Sequence, residues 1–558
     1  MPKNQPHTTN GQYMEELTNN GPDQSVGVCP PNSNSLVKSH KIFQSTSGFD
    51  KKMTRLIAGT LVFFLAACGN DITKDTNLEE PLASAVRAAG WIQYDSDRSD
   101  ALIAAAEATF AHQASADTER LLNYASQAAL RIETTRRRSR TLGNIAKFYI
   151  RLGNVHAAEQ LLEKTDSFTE ESYIAVVDVV EVLLDQENLQ AAQEILSSTI
   201  NRTVTLEPAA KAIGLRILAG GYLHLGNRER ALELLKEAFD ITQKHEHPSL
   251  TGAERGWIAI RFAEADSPVQ AGQIIRQVEP LSERATYLLW LGRAHIQKGS
   301  IEHAIELLDA FDIPTNDNIA GNRLASMRQH LAKDIAEALA RAGEIETAVE
   351  MMNQVTVRSV QAQGLAVIAA QAGIHHGQDP IAQNLLDEML QIAHSLTPYT
   401  ASLRLIDAAR AAKEAGDTAE AQRLLEMAEN RSLEVTVYRQ RNVNAARLAS
   451  MYLALDALND VRRVANRLPA KSTTRDRILG DLIEKQASRG QISEALETAD
   501  DLYYERNKAR ALAAVTGAYP AIGRIATDEE ITAIIELERK IYRKSFRHRA
   551  TGWLRFLN

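Results

Sequence analysis

At 558 residues the chain is longer than one compact core usually grows, so several domains or an extended repeat array is expected. It is 44% hydrophobic but only 5% aromatic, and Ala, Leu, Glu and Arg recur throughout, which is the vocabulary of long helical arrays. A net charge of −8 is mild for this length and argues against both a nucleic-acid binder and a disordered acidic chain.

Residues 1–52 are polar and rich in Asn, Ser, Gly and Pro, without apolar periodicity, and read as a disordered extension. The texture then changes at "KKMTRLIAGTLVFFLAACGN". Lys51, Lys52 and Arg55 precede an uncharged apolar run from Leu56 to Ala67 that ends in small residues and Cys68. Twelve residues make a helix of about 18 Å, too short for a hydrocarbon core of about 30 Å, so the run reads as a secretory segment over 53–67. Leu65-Ala66-Ala67-Cys68 resembles the lipobox of bacterial lipoproteins. That resemblance implies cleavage before Cys68, acylation of its thiol and anchoring in the membrane. Gly69 stands where many Gram-negative species need aspartate for inner-membrane retention, which implies the outer membrane, facing the periplasm. Lipoprotein signals begin near the first methionine, so translation from Met53 is the simplest account, leaving 1–52 untranslated. Residues 68–96 would then hold the lipidated cysteine and a tether.

Cys29 and Cys68 are the only cysteines. The long portion after Cys68 therefore has no structural disulfide, cysteine-rich zinc site or catalytic thiol.

From about Asp97 amphipathic helical segments alternate with short breaks, and the breaks recur. Helices end at Gly153, Gly226, Gly299, Gly343, Gly416 and Gly490. Five residues later stand Ala158, Ala231, Ala304, Ala348, Ala421 and Ala495. Weaker copies run Glu187 to Ala192, Asp266 to Ala271, Gly377 to Ala382 and Asp456 to Val461. Glycine accepts the left-handed conformation that closes a helix, and an alanine one turn into the next helix lets two antiparallel axes approach within about 8–10 Å.

Consecutive turns lie 33 to 44 residues apart. With Leu291-Gly292 before Gly299, Ala304 and Leu308, and with Tyr149, Tyr222 and Tyr452 in first helices, the repeat resembles the tetratricopeptide (TPR) family. The proline that ends each unit of that family is mostly absent here. The expected fold is all-α: a right-handed α-solenoid of about eleven TPR-like antiparallel helix pairs over 97–525, closed by a basic capping helix over 526–558. Seven Lys and Arg residues from Arg539 to Arg555, with no acid after Glu538, give that last helix its charge.

No phosphate loop, nucleophile elbow or paired-His helix is present, and no cofactor is expected. His245 with His247, and His375 beside His376, read as solvated turn histidines rather than metal ligands. In TPR proteins the first helices line a groove that holds an extended peptide. Carrying over those positions picks out Arg140, Lys147, Arg151, Arg216, Arg293, Lys333, Arg341, Arg410 and Lys413. This basic set implies a carboxylate-bearing partner: another envelope protein, an extended peptide or an anionic polysaccharide, but no nucleic acid. The expected activity is therefore binding. A solenoid-shaped carbohydrate-active enzyme would instead need Glu337 and Glu484 to converge with a tyrosine, and a cytoplasmic regulator would need Cys68 never to be exported. The helix pairing itself is testable. Ala304→Leu overpacks the hairpin and lowers stability by about 1–3 kcal/mol in urea unfolding.

Overall fold

The computed structural model describes residues 81–556 apart from 114, 166–168, 246–249, 313–317 and 377–379, and it describes no side chains for 251, 376 and 545–556. The chain divides into Met1–Ala66 and Ala67–Asn558, and only the second unit contains described residues. The secretory segment, Cys68 and Gly377 all lie outside them.

A short helix, α1 (Leu82–Gly90), comes first. Twelve helix hairpins follow. They begin with α2 (Asp95–Ala111) and α3 (Ser115–Leu130), α4 (Thr135–Arg151) and α5 (Val155–Glu163), α6 (Glu170–Asp185) and α7 (Leu189–Thr203). Next come α8 (Pro208–His224) and α9 (Arg228–Lys244), α10 (Arg255–Glu264) and α11 (Pro268–Ile275), α12 (Leu281–Gln297) and α13 (Ile301–Glu306). Then α14 (Asn318–Arg341) and α15 (Ile345–Met352), α16 (Arg358–His376) and α17 (Pro380–Ser395), α18 (Pro398–Glu414) and α19 (Thr418–Leu433). The last three are α20 (Tyr438–Ala454) with α21 (Leu458–Asn466), α22 (Thr473–Ser488) with α23 (Ile492–Asp500), and α24 (Glu505–Ala521) with α25 (Asp528–Phe556). No strand occurs among the described residues.

The turns form as the spacing predicts. All six glycines that end helices have positive φ, between 73° and 90°. At Gly153 the Asn154 N–H donates to the Tyr149 carbonyl and the Gly153 N–H to that of Ile150, the paired bonds of a Schellman motif. Asn154 then caps α5, its side chain accepting from the Ala157 N–H, so two residues stop one helix and start the next. The weak copies do the same at a steric cost: Glu187, Asp266 and Asp456 adopt φ of 60°, 53° and 69° without being glycine. Every following small residue, from Ala158 to Val461 and Ala495, is fully buried where it is described, save Ala382, which is half-buried.

Two turns escape the sequence pattern. Gln113 and Gly523 also have positive φ, but Thr118 and Asp528 stand where the alanine would. Thr118 is buried and shares its hydroxyl with Thr109 at 2.9 Å, filling the place of the methyl group.

First helices pack against first helices all along the chain, α2 on α4, α4 on α6 and onward to α24. Small residues permit this. A Cβ on Gly143 of α4 would lie 2.5 Å from the Ala175 Cβ of α6, and one on Gly214 would meet the Tyr173 ring at 2.7 Å. Second helices touch one another far less, so the stack curves with the first helices inside.

The curve closes. α24 packs on α2, where a Cβ on Gly517 would lie 3.1 Å from the Ala108 Cα. Across this seam Arg506 pairs with Asp97 at 2.9 Å and the His112 ring bonds the Thr516 carbonyl at 2.7 Å. The α-solenoid expected from the repeat forms, and its twelve inner helices among the described residues close into a ring.

Both termini of the array differ from expectation for the same reason. The tether assigned to 68–96 contains α1, whose Ala85, Val86, Ala88 and Ala89 are fully buried beside α24 and α2. The helix assigned as a cap, α25, lies against α1 as well as α23 and α24. Arg87 grips Glu538 with two hydrogen bonds of 2.6 and 2.7 Å, and Trp91 packs on Tyr542 with ring centroids 4.7 Å apart.

Removing a left-handed strain should stabilise the ring. Glu187→Gly raises unfolding free energy by about 0.5–1 kcal/mol, because the steric cost of the turn exceeds the added entropy of glycine. Chemical denaturation of the two proteins measures it.

Candidate functional site on the inner wall

Counting back from each left-handed turn residue, the positions thirteen, nine, six and two places earlier fall on one helical face. In α4 these are Arg140, Asn144, Lys147 and Arg151; in α6 they are Ile174, Asp178, Glu181 and Asp185. All eight are exposed or half-buried, whereas the faces toward the outer helix and the two neighbours are closed. This stripe is the wall a partner would meet, although α8 and α16 close it with buried Ile217 and Ile368 nine places before their turns.

Of the nine basic residues expected on it, Arg140, Arg151, Arg341, Arg410 and Lys413 are exposed, and Lys147 and Arg293 are half-buried. Lys147 pairs with Asp178 at 2.9 Å and Arg293 with Asp334 at 2.7 Å, each reaching the next inner helix. Arg216 and Lys333 are corrections: they are 4% and 5% exposed and unavailable to a partner. Both lie ten places before their turns, one residue and about 100° off the stripe. Gly143, Gly256 and Gly480 hold that place in other hairpins. It faces a neighbouring inner helix.

Charges forced into that place are neutralised. The Arg216 Nε donates to Glu254 Oε1 at 2.7 Å and its Nη2 to Glu170 Oε1 at 3.0 Å. The Lys333 Nζ sits 2.5 Å from Asp334 and 2.8 Å from Glu337. Burial pushes the Asp334 carboxyl up, but Lys333 and Arg293 beside it outweigh burial and hold it below the ordinary range. Burial keeps the Glu337 carboxyl above its ordinary value despite Lys333.

The basic subset also gave a one-sided view of the wall. α6 contributes only acids below Ile174, and α22 contributes Asp481 and Glu484. The wall therefore alternates in sign by sector, and part of its charge is cross-linked from helix to helix, as with Lys147 on Asp178 and Arg293 on Asp334. Glu337 and Glu484 do not converge. Glu337 belongs to the Lys333 cluster, while Glu484 lines a cavity of about 230 Å³ at the ring seam with Ala104, Glu107, Arg510, Ala514 and Gly517. Burial raises the Glu107 carboxyl there, and Glu484 adds to the shift. Among the described residues no group of three His, Cys, Asp or Glu is placed to hold a metal ion. His375 sits beside the Gly343 turn, and His247 lies outside the described residues.

The sequence reading missed an aromatic sector. Trp257 of α10 and Trp290 of α12 stack with centroids 4.7 Å apart, and Tyr287 meets both edge-on at 5.8 and 5.3 Å. The chain has four tryptophans, and these two stand nine places before their turns, on the wall stripe. That shared place was the available signal.

No protein-family model matches the chain, and no curated protein matches it. Solved structures resemble it at low identity. The crystal structure of Ton1535 from Thermococcus onnurineus NA1 is 16% identical with a TM-score of 0.29, covering 61% of this chain and 99% of that one. A Rap protein complexed with competence and sporulation factor is 15% identical with a TM-score of 0.25, over 63% of this chain and 99% of that one. The human IFIT1 dimer with m7Gppp-AAAA is 14% identical with a TM-score of 0.24, over 84% of this chain and 96% of that one. The described chain is an all-helical array of stacked antiparallel hairpins.

The buried charge cluster has a pH signature. Asp334 is depressed, so its contribution is fully present above the ordinary carboxylate value of 3.8 and is lost as pH falls through its lower folded value. Asp334→Asn lowers unfolding free energy by about 3 kcal/mol at pH 7, by uncompensating Lys333 and Arg293. The deficit narrows in urea titrations near pH 3.

Proposed function

We propose that this chain is a lipid-anchored scaffold that holds another envelope protein on the inner wall of its ring. Cys68 carries the acyl chains and fixes the ring to the outer membrane on its periplasmic side. The observation that supports the binding reading most directly is the wall itself: a rigid, self-paired lattice of side chains on inner helices that are locked to their neighbours.

The sectors define what the wall accepts. Arg140 and Arg151 on α4, and Arg410 and Lys413 on α18, have no acidic partner within ion-pair distance among the described residues. Between them α6 presents Asp178, Glu181 and Asp185. A uniformly anionic polysaccharide would meet repulsion at every acidic sector. An extended polypeptide of mixed charge would not, and it is the preferred partner. Exposed charges of this kind act on encounter rate and specificity more than on raw affinity.

The anchor and the wall are tested separately. Radiolabelled palmitate enters the wild-type protein in a globomycin-sensitive way and does not enter Cys68→Ser, which appears in the soluble periplasmic fraction. Labelling that survives the substitution, or protein retained in the cytoplasm, rejects the address and favours an intracellular regulator. Cross-linking in intact envelopes then captures a discrete protein partner, and its yield falls several-fold in Arg140→Glu/Arg151→Glu. An unchanged yield rejects the wall as the binding surface.

A further inference from the structure

The aromatic sector differs from the rest of the wall in composition and in sign. Nine places before their turns, six inner helices present Asn144, Asp178, Asp334, Asp407, Arg447 and Asp481 and four present Ala104, Ile217, Ile368 and Ala514, whereas α10 and α12 alone present aromatic rings, Trp257 and Trp290. Both tryptophans are half-buried, held by each other and by Tyr287, whose ring lies over Gly256 where a Cβ would collide. The platform is thus fixed before anything binds.

Carboxylates gather beside it. Glu254 ends a five-residue π-helical turn, Leu250–Glu254, immediately ahead of α10. Glu283, one helical turn before Tyr287, lays its carboxylate against Gly252 of that turn, while Glu254 and Glu170 meet at Arg216. One cation answers them. Arg216 pairs with Glu254 and Glu170, and its guanidinium lies 5.8 Å from the Trp257 ring centroid. Arg261 is neutralised by Glu264 at 2.5 Å and Arg293 by Asp334, while Arg323 rests on the neutral Thr286 hydroxyl at 2.9 Å. Glu254 and Glu170 share this one buried arginine, while Glu283 is exposed with no cation within ion-pair distance among the described residues.

The geometry points to a subsite for a lysine or arginine side chain of the partner polypeptide, held over the Trp257–Trp290 face and against Glu283 and Glu170. Aromatic faces attract cations through their quadrupole, most strongly for tryptophan, and an adjacent carboxylate adds a charge-assisted hydrogen bond. Arg216 already shows a cation held on the hidden side of the same platform. This rests on the reading that the wall holds a polypeptide, and it reverses, for this sector, the acidic partner expected from the basic residues alone.

The tryptophans report directly on the site. Acetylated tetralysine amide, titrated into the full chain at low salt, should quench intrinsic fluorescence saturably. Glu283→Gln should weaken the apparent Kd about five- to tenfold, since that side chain is exposed and its loss leaves the fold intact by circular dichroism. Trp257→Leu/Trp290→Leu should abolish the saturable phase, and tetraglutamate should produce none. Quenching by choline in preference to tetralysine would overturn the proposal in favour of a small cation or lipid headgroup. Tetralysine quenching that Glu283→Gln leaves unchanged would overturn it too. Envelope cross-linking that still captures a protein partner, alongside a silent tetralysine titration, sinks this subsite while sparing the scaffold.

Discussion

Close approach between inner helices is the constraint on which the molecule rests. Where two first helices meet, one supplies glycine or alanine and the other fills the gap: Gly143 against Ala175, Gly214 against Tyr173, Gly292 against Leu331. Axes drawn together on one side and left apart on the other must curve. Repeated through twelve hairpins, the curvature returns α24 to α2, and the seam uses the same device as every other joint, with Gly517 against Ala108. An open solenoid needs terminal repeats with polar outer faces. A closed one has no ends to protect, which is why α1 and α25 bury apolar faces against their neighbours instead of covering an exposed edge.

Arg216 and Lys333 are the exceptions that show how strict the constraint is. They occupy the crowded place between inner helices that glycine, alanine or an aliphatic side chain fills elsewhere, and each survives there only with two carboxylates around it. Such buried clusters bring little net stability compared with apolar packing of the same volume. They do fix neighbours: the Arg216 cluster links α8 to α6 and to the start of α10, and the Lys333 cluster draws in Arg293 of α12.

What the sequence made legible was local. A left-handed residue, a capping side chain and a small residue five places on all lie within a few residues of one another, so ten turns could be read before any coordinates, nine of them among the described residues. Glu187, Asp266 and Asp456 were legible although they are not glycine, because their spacing kept phase with the rest. Closure was not legible, since it depends on curvature summed over the whole chain and joins residues some 400 positions apart, such as His112 and Thr516. The first and last turns were hidden by Thr118 and Asp528, and α1 by its resemblance to a polar tether. Wall assignment failed by a single step: one residue is about 100° of helix, enough to turn an arginine from a groove to a buried joint.

The direction of α1 ties the anchor to the wall. Arg87 meets Glu538 and Trp91 meets Tyr542, four residues on in both helices, so α1 runs parallel to α25. Outer helices run opposite to inner ones, and Leu82 packs on Ala108 near the end of α2. The chain therefore enters the ring at the edge carrying the Gly–Asn turns. On the lipoprotein reading, the residues from Cys68 to Pro81 span at most about 45 Å. Any such tether would leave from the turn edge rather than from the opposite edge. Glu170 and Glu283 stand in the first turns of α6 and α12, at that opposite edge, while Arg151 and Asp185 end their helices at the turn edge. Arg140 stands thirteen places before its turn and the two tryptophans nine before theirs, so a mixed-charge polypeptide entering at the opposite edge would meet acidic and basic groups together.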